Sequence, residues 1–145
     1  MKHPLLLATL LTLATVPARS QLIVTYAEDP ELNRSSLGDT HYFDFNTMSI
    51  GVQKHVTWKG VGTFDQLYIK GPDAYGGAAD ESNPKGSLYS VQGAGTPVTS
   101  STLQLDIASS YFGMWWSAGD PFNVLSFYSG DTLVGSFTTS SLLKL

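Results

Sequence analysis

Apolar and polar side chains alternate strictly from Ser101 to Ile107, with Leu103, Leu105 and Ile107 on one face and Thr102, Gln104 and Asp106 on the other. A period of two predicts a β-strand with one wet face. Farther on, Asn123 to Tyr128 sets Leu125 and Phe127 together, and Thr132 to Thr139 sets Leu133, Gly135 and Phe137 together. Gly130-Asp131 between them suits a two-residue hairpin loop with glycine at the position of positive φ. Tyr111 to Trp116 fits no helical period and neither of its faces is plainly polar, which predicts a central strand or one with an aromatic face. Weaker strand patterns run over Leu22–Tyr26, Tyr42–Phe45, Val56–Trp58, Thr63–Lys70 and Leu88–Val91.

Between these runs, Gly, Pro, Asn, Asp and Ser recur every eight to fifteen residues and no helical stripe interrupts them. Ala27–Thr40 and the stretch GPDAYGGAADESNPKG at Gly71–Gly86 read as loops. Many short strands around one core predict an all-β fold, an antiparallel β-sandwich of jelly-roll kind, incomplete at its C-terminal end.

The first twenty residues change the picture of where the chain works. Lys2 and His3 precede the apolar run Pro4–Val16, and Ala18-Arg19-Ser20 has the small-x-small form of a signal peptidase site. A leader over residues 1–20 is expected, with a single domain over 21–145. The apolar run falls short of the roughly 20 residues of a spanning helix, so no membrane anchor is expected from it. Export places the protein outside the cell or at its surface. With no cysteine in the chain, its stability there must come from an apolar core.

Removing the leader takes away Lys2 and Arg19 and no acid, leaving six basic side chains against twelve acidic ones. The basic residues are scattered singly, which excludes nucleic acid as an expected partner.

Two segments, TFDQLYIKGPDAYGGA at Thr63–Ala78 and YFGMWWSAGDPFNVLSFYSGDTLVGSFTT at Tyr111–Thr139, resemble bacterial exosortase-dependent surface proteins of the PEP-CTERM class. The likeness is to a small β-rich family with a YGGA loop and a WWSAGD segment. It implies a secreted, surface-displayed domain with no described enzyme activity, associated with extracellular polysaccharide. The chain departs from that pattern in ADESNPKGSLYSVQG after Gly77. It also carries no Pro-Glu-Pro motif, terminal hydrophobic helix or basic tail before Leu145, so a truncated form is expected.

Candidate chemistry is sparse. Beyond the leader only His41 and His55 offer a histidine base, no Gly-x-Ser-x-Gly elbow is present, and no enzyme is expected. Zinc is not expected, since the histidines lack close spacing and cysteine company. Calcium is the one metal with candidate ligands: Asp73, Asp80 and Glu81 in the glycine-rich loop, and Asp120 in the Ser-Ala-Gly-Asp turn. The simpler role for Asp73 and Asp120 is to cap turns through their side chains.

The rings of Tyr75, Tyr111, Trp115 and Trp116 suit sugar stacking. Adjacent strand residues point opposite ways, so Trp116 is expected inward and Trp115 outward or toward the second sheet, with Trp58 in the core. The expected function is therefore a non-catalytic structural or adhesive protein of the extracellular matrix. The alternative is a lectin-like or carbohydrate-binding module, calcium-assisted, with Tyr75, Trp115 and Asp120 at its site.

Overall fold

The computed structural model describes residues 22–26, 35–77, 84–117 and 119–144; the expected leader, Asp80 and Glu81 lie outside the described residues. Strands β1 (Gly51–Trp58), β2 (Gly62–Lys70), β3 (Tyr89–Ser90) and β4 (Leu103–Leu105) form one sheet, and β5 (Val124–Ser129) and β6 (Thr132–Thr138) form a second. All strand pairs are antiparallel, and the one helix among the described residues, α1 (Thr139–Leu142), is a single turn. The chain is an all-β protein. Four strands and two are fewer than the eight of a jelly roll, so the architecture described is a pair of antiparallel sheets. No helix among the described residues is long and apolar enough to cross a membrane.

β2 organises the larger sheet. One edge of it pairs with β1 along almost its whole length, from Gly51↔Ile69 to Trp58↔Gly62. The other edge is shared: β4 takes its start, Gly62↔Leu105 to Phe64↔Leu103, and β3 its end, Ile69↔Ser90 and Lys70↔Tyr89. Asp65 joins the chain beside it with both backbone and side chain. Its N–H donates to the Thr102 carbonyl at 3.0 Å, and its Oδ1 accepts from the Thr102 N–H at 2.8 Å.

Leu67 and Ile69 are buried on one face of β2, and Val98 in the loop that follows β3 is buried as well. On the opposite face Phe43 lies 5.5 Å from Trp58 and 5.7 Å from Phe64, ring centre to ring centre, and edge-on to Phe45 at 5.0 Å. Trp58 therefore packs within the fold, as expected.

Several sequence expectations need correction. Tyr111–Trp116 is not a strand. Phe112 packs edge-on against Phe127 of β5 at 5.8 Å, and Ser109 Oγ donates to the Tyr111 carbonyl at 2.6 Å, so the run is irregular chain that touches the hairpin through Phe112. Without a strand there is no alternation of faces: Trp116 is half-buried, but Phe112 and Met114, expected on its side, are 40% and 50% exposed, no less than Trp115 at 39%.

Tyr42–Phe45 is not a strand either. Asp44 Oδ1 accepts from the Asn46 N–H at 3.1 Å, and Phe45 takes a left-handed φ of 60°, which turns the chain. Leu22–Tyr26 is also unpaired. β4 is shorter than the expected Ser101–Ile107. Attachment continues only to the Asp106 N–H, which donates to the Val61 carbonyl at 2.9 Å, and Ile107 beyond it is 73% exposed.

The hairpin keeps its expected two-residue loop, with Ser129 opposite Thr132 and Gly130 at φ 57°. Its register, however, shifts between Phe127↔Gly135 and Tyr128↔Leu133, leaving Val134 as an extra residue on β6. This bulge turns Leu133 away from Gly135 and Phe137 onto the exposed face beside Tyr128.

Candidate functional site

Where β2 ends, Lys70 leads through Gly71-Pro72 into Asp73, and the proline cannot donate to a continued ladder. Asp73 closes the next turn on itself. Its Oδ1 accepts from the N–H groups of Tyr75 at 2.8 Å and Gly76 at 3.1 Å, and its own N–H donates to the Gly76 carbonyl at 3.0 Å. Its Oδ2 accepts from Lys70 Nζ and from the Tyr89 hydroxyl, each at 2.8 Å. A carboxylate offers about four acceptor positions, and here four donors occupy them.

The glycines around Asp73 are places of close approach. A Cβ on Gly76 would stand 2.6 Å from Cδ2 of the Tyr89 ring. Gly77, at φ 70°, accepts from the Ser87 N–H at 3.0 Å, while Asn46 Oδ1 accepts from the Leu88 N–H at 2.8 Å. The two ends of the glycine-rich loop are thus tied to each other and to β3. Tyr75 is left at the tip, 71% exposed.

The charges in this cluster hold one another. Lys70, then the Tyr75 N–H and the Tyr89 hydroxyl, keep the Asp73 carboxyl well below the usual carboxylate range. Asp73 and then Tyr89 raise the Lys70 ammonium above its ordinary value, and Lys70 Nζ also lies 5.6 Å from the centre of the Tyr89 ring. Partial burial, followed by the bond to Asp73, raises the Tyr89 phenol. With its pKa depressed on folding, Asp73 contributes stability that is present above about pH 4 and lost as pH falls through the folded value. Lys70 and Tyr89, both raised, contribute stability that is present below about pH 10 and lost as pH climbs through their folded values. Lys70 and Asp73 remain 37% and 32% exposed, so water screens the pair.

The other expected site residues lie on a different segment. Trp115 and Asp120 precede β5, and Asp120 accepts from the Asn123 N–H only through its backbone carbonyl, at 3.0 Å. No ring contact among the described residues joins Tyr75 to Trp115. The structure therefore joins Asp73 to Tyr75 and brings neither Trp115 nor Asp120 to them, so the expected residues do not assemble into one site. For calcium, no three His, Asp or Glu side chains among the described residues group to hold a metal ion. Asp73 has its acceptor positions filled by protein donors.

Sequence reasoning missed a cleft of about 260 Å³ between the β1–β2 turn and the end of β4, lined by Asp39, His41, Gly60, Leu105, Ile107 and Ser109 among others. A serine, a histidine and an aspartate share it, but the Ser109 hydroxyl hydrogen is directed at the Tyr111 carbonyl. His55 lies on exposed β1 at a left-handed φ of 52°. Only the Gly38-Asp39 turn signal near His41 hinted at this cleft. Compared with family models, curated proteins and solved structures, the chain matches none of them.

Proposed function

We propose that this chain is an exported, non-catalytic surface or extracellular-matrix protein, structural or adhesive in role, with extracellular polysaccharide as its partner. The observation that carries the reading is how the candidate site is used: Asp73, its most strongly held polar group, braces a loop and leaves Tyr75 on display. Other large apolar side chains stand out in the same way, Phe122 at 87% exposure among them, and large rings displayed above polar turns suit contact with flat sugar faces. The leader pattern supports export, and the YGGA and WWSAGD likeness supports surface display.

Retention on immobilised bacterial exopolysaccharides tests this directly. Tyr75→Ala and Trp115→Ala should each weaken retention by about fivefold, as expected for single stacking contacts of about 1 kcal/mol. Asp73→Asn should lower the melting temperature and flatten the acid limb of a stability–pH curve while retention at low temperature persists. Complete loss on Trp115→Ala with the fold intact, together with dependence on calcium, would favour the lectin-like alternative. Absence of retention on every polysaccharide would sink the adhesive reading, and release of reducing sugar would sink the non-catalytic one.

A further inference from the structure

Among the described residues the sheets leave three long strand edges unpaired, and two of them are protected against pairing. On β1 the free edge is interrupted by His55 at φ 52° and carries Lys54 beside it; on β6 the edge is broken by the bulge at Val134. Bulges and edge lysines are the devices that keep strand edges from joining other chains. The remaining edges, β3 and β4, are only two and three residues long. β5 has none of these protections. Its six residues Val-Leu-Ser-Phe-Tyr-Ser contain no charge, proline or bulged residue, and apart from its pairs with β6 its backbone makes no hydrogen bond among the described residues.

We propose that two copies of this chain associate edge to edge through β5, forming one continuous sheet in the order β6-β5-β5-β6. The strand is self-complementary about Ser126. Antiparallel pairing on a two-fold axis there sets Ser126 against its own copy, Leu125 against Phe127 of the second copy, and Val124 against Tyr128 of the second copy. Like then meets like on each face, since Leu125 and Phe127 share the half-buried face and Val124 and Tyr128 the exposed one. Charge also selects this edge. The chain carries twelve acidic against eight basic residues, so two copies repel in general, whereas β5 and β6 contain no ionisable acid or base apart from the Tyr128 phenol. The inference rests on the strand edge alone and is independent of the proposed function.

Cysteine trapping tests it, because the chain has no cysteine of its own. Directly opposed residues in an antiparallel pair have Cα atoms roughly 4.5–5.5 Å apart, within the span of a disulfide. Mild oxidation of Ser126→Cys should therefore give a covalent dimer. Ser136→Cys on β6, with its twin roughly 14 Å away across three strand spacings, should not. Val124→Lys, which places a lysine twice in the symmetric join, should weaken association by about tenfold. Leu133→Lys, on the exposed face of β6, should leave association unchanged, and circular dichroism of each variant checks that the fold is kept. The proposal is overturned if light scattering finds the unsubstituted protein monomeric up to high micromolar concentration. It is equally overturned if Ser136→Cys cross-links as readily as Ser126→Cys, or if Leu133→Lys disperses the dimer as well as Val124→Lys does.

Discussion

Ile69→Ala destabilises the protein by about 3 kcal/mol and lowers its melting temperature by roughly 10 °C, as measured by chemical and thermal denaturation. Ile69 is fully buried, and its neighbours across the sheet are the small residues Gly51 on β1 and Ser90 on β3. Neither can grow into the space a truncated side chain leaves. The cost therefore includes both the lost transfer of the side chain from water and a cavity that cannot collapse. Among the described residues only Leu67, Ile69 and Val98 form the fully buried core. A loss of this size is a large share of the roughly 5–15 kcal/mol by which a domain is stable. Val52→Ala, at an exposed position of β1, provides the contrast and should change stability by less than about 0.5 kcal/mol.

Gly62→Ala should cost about 2 kcal/mol and detach β4 from β2. Gly62 is buried at the start of β2, with Trp58 opposite it on β1 and Leu105 opposite it on β4. A Cβ there would collide with the Gln104 carbonyl oxygen and lie 2.9 Å from Leu105 Cα. Both obstacles are backbone, so no side-chain rotation relieves them and the strand itself must move. Its φ is not in the left-handed region, so the cost is one of space rather than of chain conformation. Gly38→Ala makes the comparison clean: nothing lies within 4 Å of a Cβ at that glycine, and the change should be neutral within about 0.5 kcal/mol. A similar loss for both variants, measured by denaturation, would contradict the close approach of β4.

Legibility in the sequence followed the range of the interactions. The antiparallel all-β character was readable because side-chain alternation is local, as was the Gly130-Asp131 loop, where a single glycine carries the required φ. Tyr111–Trp116 was misread because an aromatic run that packs on a hairpin and one that lies within a sheet have the same composition. Leu133 was misplaced because the bulge at Val134 leaves no mark in the hydrophobic pattern. At the candidate site, the turn-capping role of Asp73 was legible because it is local, whereas its pairing with Lys70 three residues before it was not read from the sequence. Its fourth donor, the Tyr89 hydroxyl sixteen residues away, arrives only because β3 pairs with the end of β2. The stretch from Gly51 to His55 escaped notice as part of β1 because Lys54 and a left-handed His55 interrupt the apolar pattern there.

Hydrogen exchange measured amide by amide tests most directly whether β2 organises the fold. Among the described residues it is the one strand with partners on both edges, and it carries two of their three buried core side chains. Its inner amides, those of Leu67 and Ile69 above all, should exchange more slowly than any others, opening only with the whole protein, while the amides joining β5 to β6 open more easily as a separate unit. Slowest exchange in the hairpin, with β2 no better protected than its neighbours, would contradict the account.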